Sequence, residues 1–271
     1  MKIRNYFEMA GLKGKPKKYL YELDDFTIEG ETYRYAHWLH PKNVRVEFNE
    51  DMLGQLREFI NEGDFCIDIG AHVGDSTVPI ALAAGKTGQV LALEPNPFIY
   101  HVLEKNIRLN RGKLNMESIM AAAATHEGLM EFEYSDSGFC NGGRHEGMSS
   151  LKHGHMFKQE VLCIDLQSTL REEYAHCLPR LNFIKVDAEG YDLYILQALG
   201  DIIREFRPNI KAEVFRHTSR EYRLELLKFF EDLNYKVYKV IAEPVKPGPV
   251  LNQENVKEWQ HYDIIATPNE G

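Results

Sequence analysis

The ten residues FCIDIGAHVG, at positions 65–74, decide the fold. Residues 65–69 form a short apolar run that is typical of a buried strand, and Gly70 and Gly74 allow a tight turn into a helix. The first turn of such a helix offers unpaired backbone N–H groups to a carboxylate or a phosphate. We therefore expect a ligand to bind at this turn.

Asp68, at the end of this predicted strand, indicates which kind of ligand binds. Its carboxylate can accept hydrogen bonds from an ammonium group, directly or through water. The glycine spacing G-x-x-x-G differs from the G-x-G-x-x-G of dinucleotide folds and from the G-K-[ST] of P-loops. A zwitterionic amino-acid group, such as the methionine part of S-adenosylmethionine, suits this turn better than a pyrophosphate.

Strand-like and helix-like segments alternate along the rest of the chain. The apolar runs predict strands at 65–69, 89–93, 116–122, 181–186, 209–215, 235–241 and 262–267, and the helical patterns lie at 51–61, 73–84, 98–110, 191–199 and 220–233. This alternation predicts βαβ units and an α/β fold with a doubly wound, mostly parallel sheet of seven strands. Residues 135–159 and 243–254 are rich in glycine or proline and are predicted to be loops. Residues 1–47 are expected to form an N-terminal extension or cap, with a hairpin, ahead of a main domain at 48–271.

Composition and charge exclude several classes of protein. The chain has 271 residues, with 32 Lys plus Arg against 41 Asp plus Glu, and its net charge is −9. Nucleic-acid binding is not expected, because phosphate neutralisation needs a basic surface. Residues 1–21 are nevertheless basic, which predicts either a solvated arm or a patch for an anionic glycan or membrane headgroups.

The same composition bears on where the protein works. No apolar run is long enough to cross a bilayer, so no transmembrane segment is expected. The four cysteines have no C-x-x-C spacing, and Cys66 and Cys163 lie inside apolar runs where a free thiol behaves as a small hydrophobe. A cytoplasmic location is expected.

Glu94 ends the second predicted strand, in the run LEPNP at 93–97. One carboxylate can accept hydrogen bonds from both hydroxyls of a ribose, and an acid at the end of the strand after a glycine turn is placed to do so. We therefore expect Glu94 to bind a ribose. The alternative is an acid near a helix N-terminus, stabilised by the helix dipole.

The run FIKVDAEGY, at 183–191, carries a third group of polar residues. Period-two alternation puts Lys185, Asp187 and Glu189 on one side of the carboxyl end of a strand, where doubly wound sheets bind their ligands. The two carboxylates could orient a hydroxyl, take its proton, or hold a divalent cation. The alternative is structural, with Lys185 pairing with an acid and Glu189 lying near the next helix start.

Several motifs together resemble the FkbM family of S-adenosylmethionine-dependent methyltransferases. They are DIGAHVG, LEPNP, an L-x-x-N, the SSL at 149–151, and IKVDAEGY. The resemblance covers roughly residues 48–242, and 262–267 resembles the final strand of the fold. It implies a class I methyltransferase (Rossmann-like) fold with an antiparallel last strand. It also implies O-methylation of a hydroxyl on a sugar, a glycan or a secondary metabolite.

The resemblance also implies roles for particular residues. The methionine end of S-adenosylmethionine would be held by Asp68, Gly70, His72 and Gly74, the ribose by Glu94, and the adenine by residues 121–123, including Ala122. One departure is His72, which stands where the family commonly has Asn. An imidazole can replace an amide hydrogen bond, and its charge would then make cofactor binding sensitive to pH.

The acceptor and the catalytic base are less constrained. The candidates for the base are Asp187, Glu189, Glu213 at the end of the fifth predicted strand, and His217. Some sugar O-methyltransferases build a magnesium site from acids after the fourth and fifth strands. The adjacent acidic pair of those enzymes is absent here, so a divalent cation is allowed but not expected.

Three alternatives to this interpretation remain open. His153-x-His155 could suggest a zinc site, but these residues lie in a glycine-rich stretch with no third ligand nearby, and contact with solvent or acceptor is favoured. The chain could also be a cofactor-binding subunit of a glycan-assembly complex that has lost catalysis. An NAD(P)-dependent oxidoreductase is disfavoured by the missing G-x-G-x-x-G.

Overall fold

The structure, a computed structural model, describes residues 17–134 and 157–269. A β-hairpin of β1 (Tyr21–Ile28) and β2 (Glu31–Trp38) comes first, and the sequence predicted a hairpin in this region. Glu29 and Gly30 make its two-residue turn with φ angles of 51° and 78°, as a type I′ turn requires. β1 is largely exposed, whereas the second half of β2 is buried against the main body of the protein.

Within the described residues, the central sheet contains eight strands in the order β12-β11-β13-β10-β9-β3-β4-β5. Their bounds are β3 (Phe65–Ile69), β4 (Gln89–Leu93), β5 (Met116–Ile119), β9 (Leu181–Val186), β10 (Asn209–Val214), β11 (Tyr235–Ala242), β12 (Lys246–Val250) and β13 (Tyr262–Pro268). Five neighbouring strands of this sheet are parallel, namely β10, β9, β3, β4 and β5. Strand β13 is antiparallel to both of its neighbours, β10 and β11. The predicted α/β class I sheet with an antiparallel last strand is therefore confirmed.

The eighth strand, β12, comes from the segment 243–254, which the sequence predicted to be a loop. Pro247 and Pro249 made a strand improbable there, because proline cannot donate a ladder hydrogen bond. β12 lies at the edge of the sheet and pairs only with β11, with register shifts along the pair. A strand at the edge of a sheet forms ladder hydrogen bonds on one side, so the backbone facing its other side needs no N–H donors. Prolines are therefore tolerated in β12.

Seven α-helices cover the two faces of the sheet in the described residues. They are α1 (Glu50–Leu56), α2 (Thr77–Ala84), α3 (Tyr100–Leu109), α4 (Leu166–Glu172), α5 (Asp192–Ala198), α6 (Gly200–Phe206) and α7 (Arg220–Asp232). The side chains of Asn49, Asp165 and Ser219 cap the N-termini of α1, α4 and α7. Alternate strand residues pack on opposite faces: Ile67 joins the cluster that includes α5 to α7, and Cys66 joins the cluster that includes α1 to α3.

A second, three-stranded sheet has the order β6-β8-β7. Its strands are β6 (Ala122–Ala124), β7 (Gly128–Tyr134) and β8 (Phe157–Asp165). The predicted single strand 116–122 is therefore wrong at its end. The chain leaves the central sheet after Ile119, and Ala122 pairs with Cys163 of β8 instead.

Other differences from prediction are small. The helix expected at 73–84 begins only at Thr77, because residues 70–76 form the turn after β3. The helix expected at 51–61 already ends at Leu56. Most of the stretch predicted as a loop at 135–159 lies outside the described residues, but its last residues belong to β8. No helix among the described residues is long and apolar enough to span a membrane.

Candidate active site

A cleft of about 840 Å³ lies where the central parallel strands end. It is lined by residues that follow β3, β4 and β9, by residues 42–47 and Asn49, and by parts of the three-stranded sheet. Its volume falls within the range of about 300–1,000 Å³ that is usual for small-molecule sites. The structure therefore places the ligand crevice at the strand ends, where the sequence predicted it.

The turn after β3 is held by backbone contacts to two neighbouring strands. The N–H groups of Gly70 and Ala71 both donate to the carbonyl oxygen of Leu93, at 2.9 Å each, and the N–H of Asp187 donates to the carbonyl of Ile69 at 3.0 Å. A Cβ on Gly70, whose φ is 75°, would lie 2.0 Å from the carbonyl oxygen of Asp187. Position 70 therefore requires glycine because the turns after β3 and β9 touch.

Glu94 lies in the wall of this cleft and is buried. Its Oε2 accepts a hydrogen bond from the backbone N–H of His72 at 2.9 Å, and its Oε1 accepts one from that of Asn96 at 2.8 Å. Burial raises the pKa of Glu94, and the charge of His72 and the backbone donors partly oppose this. Each oxygen keeps a second acceptor position, so the carboxylate can shape the turn and still bind a ribose.

The helix-dipole alternative for Glu94 does not fit the structure. The next helix, α3, begins only at Tyr100, and its first turn contains no acidic residue. The dipole of a helix acts mainly within its first and last turns.

Asp68 is fully buried beneath the turn. Its Oδ2 accepts hydrogen bonds from Ser76 Oγ at 2.8 Å and Thr77 Oγ1 at 2.6 Å, and its Oδ1 lies 3.2 Å from Lys185 Nζ. Asp68 is not among the described residues that line the cleft. It therefore fixes the start of α2, and its predicted contact with an ammonium group of the cofactor stays a prediction.

His72 and Ala122 both line the cleft. His72 has a φ of 49°, and its ring meets the ring of Trp38 edge-on at a centroid distance of 5.5 Å. Trp38 belongs to the N-terminal hairpin, which therefore contacts the turn after β3. Ala122 is one of four consecutive alanines, 121–124, that are buried and line the cleft near Phe132. Their small side chains leave space for a flat ring such as adenine.

Asp187 and Glu189 bring two carboxylates to the same cleft. Lys185 is buried beside them: its Nζ donates to the carbonyl oxygen of Gly70 at 2.8 Å and lies 3.8 Å from Asp187 Oδ2. Burial alone would lower the pKa of Lys185, but the charges of Asp68 and Asp187 outweigh it and raise that pKa above its usual range. The ammonium is therefore permanently charged and ties the turn after β3 to Asp187.

Glu189 combines backbone strain with an unusual pKa. Its φ is 52°, which is uncommon for a residue with a side chain and recurs at functional sites. Burial, and then the charge of Asp187, raise the pKa of Glu189 to about 7, although Arg216 opposes the shift. A carboxyl group with this pKa in the cleft wall can take up and release protons near neutral pH.

The other two predicted candidates for the base lie elsewhere. Glu213 is buried, and neither it nor the exposed His217 is among the described lining residues. Burial, followed by the charges of Asp187 and Asp192, raises the pKa of Glu213 to about 10, so this carboxyl is protonated at neutral pH. The structure therefore brings Asp187 and Glu189 together in the cleft and puts Glu213 behind its wall.

Asp192 organises the turn after β9, although no role was predicted for it from the sequence. It is fully buried, and it accepts hydrogen bonds from the backbone N–H groups of Gly190 at 3.1 Å, Glu213 at 3.3 Å and Ala188 at 3.4 Å. Burial and the charge of Asp187 raise the pKa of Asp192 to about 8. The signal was available, because an acid two residues after a glycine turn is placed to bond to the N–H groups of that turn.

Lys211, Glu243 and Asp263 form a second missed group, and all three line the cleft. Lys211 Nζ lies 2.7 Å from Glu243 Oε2 and 2.9 Å from Asp263 Oδ2. No sequence motif joins these positions, since they come from three separate strands or strand ends. Within 17–134 and 157–269, no group of three or more His, Cys, Asp or Glu residues is arranged to hold a metal ion. His153 and His155 lie outside the described residues.

Comparison with known proteins identifies the family. The model of the methyltransferase FkbM domain matches residues 68–237, more than half of the chain. The chain therefore belongs to the FkbM methyltransferase family. It is also 23% identical over 200 residues to methyltransferase sdnD from Sordaria araneosa, a match that covers 66% of this chain and 76% of that protein.

Solved structures give weaker likenesses. Precorrin-6y C5,15-methyltransferase from Geobacter metallireducens GS-15 is 14% identical with a TM-score of 0.44, covering 81% of this chain and 87% of that one. The methyltransferase FkbM from Methylobacillus flagellatus KT is 13% identical with a TM-score of 0.46, covering 76% of this chain and 44% of that one.

The protein is thus a methyltransferase that uses S-adenosylmethionine. The bound cofactor supplies a methyl group on a sulfonium centre, which is open to attack by a nucleophile. The residues present fit the cofactor: Glu94 can accept from ribose hydroxyls, and the alanines 121–124 leave space for the adenine. The zwitterionic end would meet the turn that contains Gly70 and His72.

Proposed function

We propose that the protein transfers the methyl group of S-adenosylmethionine to a hydroxyl on a sugar, a glycan or a secondary metabolite. The observation that carries the proposal is that Asp187 and Glu189 line the same cleft as Glu94 and the turn after β3. A hydroxyl must be aligned with the methyl group and must lose its proton during transfer. The cleft offers carboxylates for both tasks.

The two carboxylates take different roles in this proposal. Glu189, with a pKa of about 7, accepts the proton of the acceptor hydroxyl, because a base works best when its pKa is near the working pH. Asp187 lies 3.8 Å from the Lys185 ammonium and orients the hydroxyl. Glu94 and the turn that contains Gly70 and His72 hold the cofactor.

The proposed location is the cytoplasm. Among the described residues, Cys66, Cys163 and Cys177 are all free thiols and all buried. Free cysteines are ordinary in a reducing compartment and less so in secreted proteins, where disulfides form.

Two measurements test the proposed reaction. Calorimetry with S-adenosylmethionine and S-adenosylhomocysteine should show binding of both, and a lack of binding at millimolar concentration would overturn the assignment of the cofactor site. Incubation with S-adenosylmethionine that carries a trideuterated methyl group, followed by mass spectrometry, should give labelled ethers from hydroxyl acceptors. Cofactor binding without transfer to any acceptor would instead favour the cofactor-binding subunit that has lost catalysis.

A further inference from the structure

The part of the cleft beyond the cofactor turn is short of positive charge. Lys211 is shared by two carboxylates, at 2.7 Å from Glu243 and 2.9 Å from Asp263. The side chains of Lys211 and Asp263 are only 14% and 23% exposed, whereas that of Glu243 is 71% exposed and meets solvent. When all three groups are ionised, the trio carries one negative charge in excess, and burial raises the pKa of Glu243.

Lys185 repeats this arrangement on the neighbouring strand. It pairs in register with Lys211 across β9 and β10, and it lies between Asp68 at 3.2 Å and Asp187 at 3.8 Å. The two lysines and their four carboxylates leave a charge of −2 when all are ionised.

Three more acids, Glu189, Asp192 and Glu213, lie near these two lysines and four carboxylates. Burial, and then the charges of Asp187, Asp192 and Glu189, raise the pKa of Glu213. Its Oε2 finds no hydrogen-bond partner among the described residues, and its Oε1 lies 3.5 Å from His261 Nε2. Arg216 is a further positive charge, which lowers the pKa of Glu189, but its side chain is exposed to solvent.

We propose that the methyl acceptor carries a protonated amine close to the hydroxyl that is methylated, as amino sugars do, and that this amine binds at the acid-rich end of the cleft formed by Asp187, Glu189, Glu243 and Asp263. This inference rests on the proposed O-methylation. An ammonium group supplies the missing positive charge and can donate to several carboxylates at once. An acceptor with a carboxylate or phosphate would bring a further anion to a site in which acids already outnumber lysines.

The protonation of the cluster gives the proposal a distinctive consequence. With a pKa of about 7 for Glu189, part of the cluster is protonated at neutral pH. A bound ammonium favours the ionised forms, so binding of the amine should release protons. Calorimetry in buffers of different ionisation enthalpy, on protein saturated with S-adenosylhomocysteine, measures that release.

The decisive experiment compares acceptors that differ only in charge. Methyl transfer from the trideuterated cofactor would be measured with methyl glycosides of glucosamine and of N-acetylglucosamine. A polar extract of the source organism would be treated in parallel, and its labelled products would be separated by ion exchange. We expect the labelled ether to occur in products that bind a cation exchanger, and the amine to exceed its N-acetyl counterpart by at least about tenfold in kcat/KM for any pair that reacts.

Each outcome decides between the two proposals. Labelled ethers that are neutral or acidic would overturn the amine proposal and leave O-methylation intact. A label on nitrogen would overturn the proposed O-methylation, and no labelled product in any fraction would count against both.

A matched pair of variants locates the amine. Glu243→Gln removes one carboxylate from the Lys211 trio and should raise KM for the amine acceptor about tenfold with little change in kcat. Glu231→Gln, on the exposed surface of α7, makes the same change in total charge and should leave both constants unchanged. An equal KM in both variants would overturn the assignment of the amine to this end of the cleft.

Discussion

The two halves of the cleft are built by different means. The cofactor half consists of residues 70–76, 94–96 and 121–124, and the acceptor half consists of residues 187–191 with Lys211, Glu243 and Asp263. In the cofactor half, backbone N–H groups, glycines and small side chains define the shape, and Glu94 is held by two N–H groups. In the acceptor half, charged side chains from four strands or strand ends face one another across short distances.

Binding of the cofactor should therefore depend mainly on the shape of the backbone, whereas binding and reaction of the acceptor should depend mainly on charged side chains. A backbone turn can be rigid in every protonation state, so the cofactor half, in which burial raises the pKa of Glu94, should respond to pH less than the acceptor half. The acceptor half contains two acids with raised pKa values, Glu189 and Glu243, and should respond strongly. The following predictions test that division, beginning with the largest effect.

Glu189→Gln should cause the largest loss of activity. Removing the proposed base should lower kcat by about 10²–10⁴-fold and leave the affinity for S-adenosylmethionine within about twofold. In the wild type, kcat/KM should rise as the pH increases through about 7, because Glu189 must be ionised to accept a proton. Single-turnover methyl transfer across pH 5.5–9, with binding measured by calorimetry, checks both statements.

Asp187→Asn is the matched comparison for this variant. It should also lower turnover, but the rise of the pH profile near 7 should remain, although displaced, because Glu189 still titrates. Chelator and added magnesium should make no difference if neither acid is a metal ligand. Full activity in both variants would remove these acids from the mechanism, and His217 would be the next residue to test.

The contrast between the halves also explains what the sequence could predict. The glycine turn, Glu94 and the strand ends lie within short continuous motifs, so both their chemistry and their position follow from local pattern. Glu243, which follows β11, reaches Lys211 only because β13 pairs with β10 and β11 pairs with β13, and no motif encodes that contact. Strand β12 could not be predicted either, because its prolines are acceptable only at a sheet edge, and a position at the edge depends on the tertiary fold.

Gly70→Ala should test the rigidity of the cofactor half. The added Cβ would lie 2.0 Å from the carbonyl oxygen of Asp187, at a φ of 75° that disfavours any side chain. We expect a loss of about 3 kcal/mol or more in the free energy of unfolding, together with much weaker cofactor binding. Gly200→Ala is the control, because its Cβ would have no neighbour within 4 Å, and it should be neutral or slightly stabilising. Equal stability of the two variants in urea unfolding would show that the turns after β3 and β9 do not touch.

Glu94→Ala should weaken cofactor binding by tenfold or more. It removes charge-assisted hydrogen bonds to the ribose, each of about 1.5–3 kcal/mol, and it also frees the N–H of His72. Glu104→Ala, on the exposed side of α3, is the control and should bind the cofactor normally. Calorimetry with S-adenosylhomocysteine separates the two. Unchanged affinity in folded Glu94→Ala would move the ribose contact to another residue.

Glu213→Gln should give the smallest effect, and it should increase stability. The pKa of Glu213 is about 10 in the folded protein against an ordinary value of about 4.5, so between these values folding keeps a proton that the unfolded chain releases. The free energy of unfolding of the wild type therefore falls as the pH rises through this window. Glutamine cannot ionise, so the variant lacks this loss, and its advantage over the wild type should grow from near zero below pH 4.5 to about 1–3 kcal/mol at pH 9. At about 2–4 °C per kcal/mol, thermal unfolding at pH 5, 7 and 9 resolves the trend, with Glu231→Gln as the surface control. A variant that is less stable than the wild type at pH 9 would show that Glu213 is ionised and paired in the folded protein, and the wall behind the acceptor half would then hold one more negative charge than the pKa of Glu213 indicates.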